Sequence, residues 1–151
     1  PEFPKLAGQY AKYIVKQVQD YQKDLRTNET MVGMAMTVTE KWDLEDIAAY
    51  FAAQPVMQGA PVTSALAEKG RELYNAKYTC NRCHGENGKG KGDKMALFPR
   101  IGGQHKDYLV ATMKDFRTGA RKNDMTGLMA PLAKGLKDEE IEAIAEYLSG
   151  Q

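Results

Sequence analysis

Cys80-Asn81-Arg82-Cys83-His84 is the stretch whose reading decides the rest of this chain. It has the form C-x-x-C-H, the attachment signal for a c-type haem. Two thiols one helical turn apart each form a thioether to a haem vinyl group, and the adjacent imidazole is then held beneath the iron as proximal ligand. These are the only two cysteines in 151 residues. Other uses of the same residues explain less. A structural zinc site takes four ligands; Cys80, Cys83 and His84 supply three, and His105, the only other histidine, would have to fold back as the fourth. A thioredoxin-like dithiol belongs in a βαβ setting, and the chain shows no strand pattern. A disulfide between the two cysteines leaves His84 unexplained.

Composition sets the outer bounds. At 42% hydrophobic and 27% charged residues, the chain reads as globular rather than disordered. No apolar run reaches the length of a membrane span, and no signal-peptide pattern is present. Haem is joined to C-x-x-C-H outside the cytoplasm, so the expected location is the periplasm, with an export signal already removed. Residues 1–63 carry six Lys/Arg against eight Asp/Glu, and residues 64–151 carry fifteen against twelve. Nucleic-acid binding calls for a concentrated basic face, and this mild asymmetry argues against it.

The chain contains itself twice. Phe3-Pro4-Lys5-Leu6-Ala7-Gly8-Gln9 echoes Phe98-Pro99-Arg100-Ile101-Gly102-Gly103-Gln104, an offset of 95. The offset holds through Tyr13/Tyr108, Val15/Val110, Asp20/Asp115, Tyr21/Phe116, Arg26/Arg121, Asn28/Asn123, Met34/Met129 and Ala35/Ala130. It becomes 97 through Ile47/Ile144 and Tyr50/Tyr147. The organisation expected is a partial first repeat over residues 1–54 without C-x-x-C-H, a linker over 55–63, and a complete haem-bearing repeat over 64–151. By the second repeat's spacing, the first C-x-x-C-H would fall before residue 1. The expectation is therefore a fragment of a two-haem protein rather than a repeat that has lost its attachment half.

Helical periodicity recurs in both repeats. Tyr10, Ile14, Val18, Tyr21 and Leu25 predict a helix over 9–25. Residues 27–41 read as a loop carrying Met31, Met34 and Met36. Asp43 is the expected N-cap of a helix through Leu44, Ile47, Tyr50 and Phe51. Pro55, Gly59 and Pro61 mark the linker. Ser64 is the expected cap of a helix to about Ala76 with Leu66, Gly70, Leu73 and Tyr74 on one face. The Gly/Lys-rich stretch 85–94 lacks the phosphate-loop pattern and reads as a flexible loop beside the haem. A helix over 104–118, a distal loop over 123–136 and a last helix over 137–148 complete the chain. Leu136, Ile141, Ile144, Ala145 and Leu148 are expected to face inward. The fold class expected is all-α.

A low-spin electron carrier needs two strong axial ligands on iron. His84 is the proximal one. Of Met95, Met113, Met125, Met129 and His105, Met129 is the best distal candidate. It sits in Met129-Ala130-Pro131-Leu132 ahead of the last helix, and Met34 falls at the same place in the first repeat. Methionine ligation favours Fe(II) and raises the potential. The Pro99 carbonyl is the candidate acceptor for the other N–H of His84. Arg100 is placed to neutralise a propionate, and Phe98, Ile101, Tyr108, Leu109 and Leu132 to wall the haem. No hydrolase or metalloprotease motif is present, so the chain reads as an electron carrier rather than an enzyme.

At these residues the chain resembles the class I cytochromes c, and is most similar to the dihaem cytochrome c4 group. The features that carry the resemblance are Cys80-Asn81-Arg82-Cys83-His84-Gly85, the Phe98-Pro99-Arg100-Ile101-Gly102-Gly103-Gln104-His105 block with Tyr108, Arg121-Lys122-Asn123-Asp124, Met129, and Ile144-Ala145-Glu146-Tyr147-Leu148. In the first repeat they are Phe3-Pro4, Gly8-Gln9, Tyr13, Arg26-Thr27-Asn28, Met34 and Tyr50. The resemblance implies tandem all-α domains about a pseudo-twofold axis, each with a His/Met haem c, the first incomplete here. It implies that Met34 ligates iron only if a second haem is present. It implies crossing first and last helices, with Gly70 and Tyr147 near the contact. It also implies single-electron transfer with redox partners such as a terminal oxidase, a quinol-oxidising complex or a dehydrogenase. The alternative is a cytochrome subunit of a larger enzyme, such as a flavocytochrome c sulfide dehydrogenase. Arg82, Lys89, Lys91, Lys94 and Arg100 suggest a basic docking face for an acidic partner.

Overall fold

The computed structural model describes residues 3–151, and every regular element among them is helical, as the periodicity predicts. The helices are α1 (Ala11–Gln22), α2 (Glu29–Met36), α3 (Lys41–Ala53), α4 (Ala65–Glu72), α5 (Asn81–His84), α6 (Lys106–Thr118), α7 (Met129–Lys134) and α8 (Asp138–Ser149). None is long and apolar enough to cross a membrane.

The core forms where α4 meets α8. Ser64 starts α4 by accepting a hydrogen bond from the Ala67 N–H at 3.1 Å, satisfying one of the donors a helix start leaves orphaned. Gly70 then lies against α8 so closely that a Cβ there would strike the Ala143 carbonyl oxygen. Beside it the rings of Tyr74 and Tyr147 pack with centroids 5.6 Å apart. Leu73, Leu109, Leu136, Ile141, Ile144 and Leu148 complete the cluster. Gly70→Ala must push α4 off α8, since the obstacle is backbone rather than a flexible side chain. The expected loss is about 2 kcal/mol, read as a lower midpoint in guanidinium unfolding.

Three sequence expectations need correction here. Leu66 is 36% exposed and Ala67, at 4%, takes the inward place, because the face that meets α8 runs through the small residues Ala67 and Gly70. The helix does not continue in α form to Ala76. It loosens into a π-helical turn at Leu73–Lys77, where the Tyr78 N–H donates to the Leu73 carbonyl at 2.9 Å. Asp43 is not the cap of α3; Glu40 holds that position and Asp43 lies in the first turn, where its charge suits the helix dipole.

One ion-pair cluster ties the π turn to the last helix. The buried Glu140 carboxylate accepts from the Lys137 N–H at 3.0 Å, Tyr78 Oη at 2.8 Å and Lys77 Nζ at 2.5 Å. The Lys137 amide, then Lys77 and Tyr78, pull the Glu140 carboxyl from the ordinary 4.5 down to about 2. A depressed carboxylate stabilises the fold above its unfolded pKa, and that contribution is lost as pH falls from about 4.5 toward 2. Glu140→Gln is therefore expected to flatten the acid limb of a melting-temperature profile over that window while lowering stability at neutral pH.

The two repeats meet through contacts that obey the sequence offset of 95. The Lys5 N–H donates to Gln104 Oε1 at 2.9 Å, and the Arg100 N–H donates to Gln9 Oε1 at 2.9 Å. Gln104 Nε2 donates to the Lys5 carbonyl at 2.9 Å, and Gln9 Nε2 to the Arg100 carbonyl at 2.8 Å. Arg26 Nη2 donates to Tyr108 Oη and Arg121 Nη2 to Tyr13 Oη, each at 3.0 Å. Symmetry breaks at Gln17, whose Oε1 accepts from Arg26, Arg121 and Asn123 where the offset partner is Thr112. The segment over 55–63 is extended. It is pinned by Lys5 Nζ on the Gln58 carbonyl at 2.7 Å and Lys89 Nζ on the Met57 carbonyl at 2.9 Å.

The covering of the last helix differs between the repeats. Ile144 and Tyr147 of α8 are 6% and 5% exposed beneath α4, whereas their counterparts Ile47 and Tyr50 of α3 are 39% and 64% exposed. Leu25, which the periodicity places on the inner face of a helix over 9–25, lies beyond the end of α1 at Gln22 and is exposed.

Candidate functional site

The site is built on the short helix that follows the π turn. Thr79, in the left-handed region at φ 51°, turns the chain out of the π segment, and the Cys80 N–H donates to the Tyr74 carbonyl at 2.8 Å. Cys80, packed against the core cluster, and Cys83 are half-buried and unpaired. The His84 N–H closes one helical turn on the Cys80 carbonyl at 2.9 Å. Gly85 then ends the helix at φ 78°, ψ 174°, a conformation close to glycine-only. Its missing Cβ leaves room for the Gly90 carbonyl. Tyr74 Oη donates to the Gly85 carbonyl at 2.7 Å, so the core fixes the exit of the motif.

His84 is buried, and its Nδ1 lies 2.8 Å from the Pro99 carbonyl oxygen. That contact fixes Nδ1 as the protonated nitrogen and leaves the Nε2 lone pair for a metal. Burial holds the His84 pKa below the ordinary histidine value, against the opposing pull of the Pro99 carbonyl, so the imidazole is neutral, as a ligand must be. Burial also pushes the Cys80 thiol up to about 11. That is the opposite of the depressed thiolate a dithiol redox motif needs. Among the described residues no three His, Cys, Asp or Glu side chains are grouped to hold a metal ion; the donor set suits a macrocycle-borne metal with one imidazole beneath it.

The distal side differs from the simple loop expected. Residues 123–136 contain α7, which begins at Met129. Asp124 Oδ2 accepts the Met129 N–H at 3.1 Å, closing the turn that presents this half-buried methionine. Pro131 sits in the first turn of α7, where proline is tolerated. In the first repeat, α2 likewise occupies the predicted loop; Asn28 Oδ1 caps it by accepting the Met31 N–H at 2.9 Å. Met34 lies on α2 and is 59% exposed, and Met125 is 63% exposed. Met113 packs partly buried against the core.

The other expected site residues fall in two groups. Ile101 packs against the core cluster and Leu109 belongs to it, while Phe98 and Pro99 are half-buried and Leu132 is 46% exposed. Arg100 and Tyr108 turn toward the first repeat, and Lys89 toward the 55–63 segment. The Arg100 guanidinium donates to the Lys89 carbonyl at 3.0 Å and to the Gly8 carbonyl, and stacks 4.2 Å over the Tyr10 ring. Burial would push the Tyr108 phenol up, but the Arg26 and Arg121 charges hold it below the ordinary tyrosine value. The basic cluster expected for docking is thus divided: Arg82, Lys91 and Lys94 are exposed, and Lys89 and Arg100 are spent on internal carbonyls. Sequence reasoning assigned no role to Gln9 and Gln104 in the site. The available signal was their match at the same offset as the Phe-Pro segments they grip.

Two concave surfaces among the described residues, one lined by Ala11, Val15 and Glu45 and another by Glu68, Glu72 and Asn75, include none of this donor set. Chemistry rather than concavity marks the site. Comparison with known proteins points the same way. The cytochrome c family model matches residues 67–151. A cytochrome c4 of Thiocapsa roseopersicina is 44% identical over 156 residues, spanning 99% of this chain and 79% of that protein. A thiosulfate dehydrogenase electron acceptor of Stutzerimonas stutzeri is 34% identical, spanning 97% and 70%. The crystal structure of reduced recombinant cytochrome c4 from Pseudomonas stutzeri superposes with a TM-score of 0.90 at 38% identity, spanning 99% of this chain and 85% of that one.

Proposed function

Because this chain belongs to the cytochrome c family and, within it, to the cytochrome c4 proteins, we propose that it shuttles single electrons in the periplasm through a haem c joined to Cys80 and Cys83, with His84 and Met129 as axial ligands. It is an electron carrier rather than an enzyme. One observation carries the residue assignment. The buried His84 has its Nδ1 committed to Pro99, and two unpaired thiols flank it on the same short segment, Cys83 directly before it and Cys80 one turn back at the helix N-cap. When bound, the haem supplies a one-electron couple; the protein's part is to hold its iron between two fixed ligands so that little rearranges on transfer. Phe98, Ile101 and Leu132 wall the group, and Arg82, Lys91 and Lys94 offer a cationic face to an acidic redox partner, with a rate that falls as salt rises.

The number of haems belongs to the same proposal. Met34 stands where Met129 stands in the other repeat. The exposed Ile47 and Tyr50 of α3 match residues that α4 covers on α8. These features support a second haem on the first repeat, with Met34 as its distal ligand and a helix of the α4 type over α3. The mass of the intact protein, taken with its haem-to-polypeptide ratio, tests this. Two haems per polypeptide support it, and one haem limits the assignment to the second repeat.

A specific observation favours a second reading for the partner. The similarity to a thiosulfate dehydrogenase electron acceptor supports a carrier that works beside a dehydrogenase, a more specific variant of the cytochrome-subunit alternative. Co-purification with a dehydrogenase, and reduction by that enzyme's substrate only in its presence, would select this reading over a free shuttle serving a terminal oxidase.

A further inference from the structure

The peptide unit joining Pro99 to Arg100 is bonded at both ends. Its carbonyl oxygen meets His84 Nδ1 at 2.8 Å, and its N–H donates to Gln9 Oε1 at 2.9 Å. Gln9 belongs to the other repeat, 91 residues away, and is 5% exposed. Its amide is fully engaged: Oε1 also accepts from the Tyr10 N–H at 3.1 Å, and Nε2 donates to the Arg100 carbonyl at 2.8 Å. The contacts form one line, Gln9 Oε1 to Arg100 N–H, across the peptide to Pro99 C=O, and on to His84 Nδ1–H. Hydrogen bonds in series polarise one another, most strongly where water is excluded. An acceptor on the Arg100 N–H therefore makes the Pro99 oxygen a stronger acceptor, and that raises the basicity of the imidazole.

We infer that Gln9 is a positioning residue through which the first repeat sets the reduction potential of the haem held by the second. The inference rests on His84 as the proximal ligand. The relay holds electron density on the imidazole, favours the ferric state and lowers the potential. The reciprocal grip of Gln104 on the Lys5 N–H, at the Pro4–Lys5 peptide, does not touch the Pro99 peptide. Gln104 is 5% exposed, like Gln9, and bridges the same interface, which makes it the matched control.

The test compares Gln9→Leu with Gln104→Leu in the haem-loaded protein. In Gln9→Leu the ferric-to-ferrous ratio of the His84 haem at a fixed ambient potential is expected to fall roughly two- to fivefold. Its Nδ1–H resonance in the ferrous protein is expected to move upfield and to exchange faster with solvent. Gln104→Leu is expected to leave the His84 Nδ1–H at its wild-type position. An unmoved resonance in Gln9→Leu overturns the inference. Equal movement in both variants does so too, because it reduces the grip to general support of the interface. If Gln9→Leu does not fold, Gln9→Met keeps the side-chain length without the acceptor and carries the same expectation. In the unmodified protein, an Arg100 amide exchanging as fast as an unbonded one would also overturn the relay. Absence of any haem-shifted His84 resonance in the wild type would instead fail the ligand assignment, a separate result.

Discussion

Replacing Cys80 and Cys83 together by alanine is expected to abolish covalent haem attachment at this site. Acidified-solvent extraction would then remove the haem from the Cys80–His84 segment, whereas in the unaltered protein the haem stays with the peptide. The expectation follows from the lack of any other thiol: the chain has two cysteines and both lie in this motif. The double variant is also expected to lose stability. On this proposal the haem would cover Phe98 and Leu132, which are partly open to water, and each side chain left uncovered forfeits part of the about 1.5–3 kcal/mol that full burial supplies.

Met129→Ala is the second large effect. Removing the thioether is expected to erase the contribution of the haem held at His84 to the red absorption band of methionine-ligated ferric haem and to lower that haem's potential by on the order of 0.2 V, since axial-ligand identity is the main lever on haem potential. The open iron position should then take small exogenous ligands. The specificity of the effect is checkable on the same loop. Met125 is four residues away and 63% exposed, and Met125→Ala should change neither the band nor the potential. The Asp124 carboxylate holds the Met129 amide, so Asp124→Ala is expected to weaken the band without removing it.

Much of this arrangement is legible in the residues, and the gaps have physical causes. The C-x-x-C-H motif names the cofactor because its spacing is set by haem vinyl geometry, and the inward face of α8 is legible because Ile141, Ile144 and Leu148 follow helical periodicity. Gly70 is read correctly onto the contact face, whereas Ala67 is not. A tight helix crossing selects small residues, and hydrophobicity favours Leu66 instead. The π turn at Leu73–Lys77 has no periodic signature, because it is one misplaced hydrogen bond within an otherwise ordinary helix. α2 and α7 read as loops in the sequence because their methionines point to chemistry rather than to a core stripe, yet Asn28 before Glu29 is a usable start signal. The roles of Arg100 and Lys89 depend on which carbonyls lie within reach. Those carbonyls come from Gly8 and Met57, so no local reading places them.

The grip of Gln9 on the Pro99–Arg100 peptide shows the limit most clearly. The pairing of Gln9 with Gln104 is visible at the offset of 95, but nothing local says that each reaches into the other repeat. The fold converts two copies of one segment into a reciprocal contact, and one arm of it ends on His84, the proposed proximal ligand.

The central claim is that these residues build a one-electron carrier with His84 and Met129 on a covalently held haem. The most direct test is an equilibrium redox titration of the haem-loaded protein followed across its full visible spectrum. The account predicts reversible one-electron waves at positive potential, with the red methionine–Fe(III) band present in the oxidised form and the contribution of the His84 haem to it lost in Met129→Ala. A ferric spectrum without that band, an iron that binds added ligands at once, or a wave unchanged by Met129→Ala would contradict it.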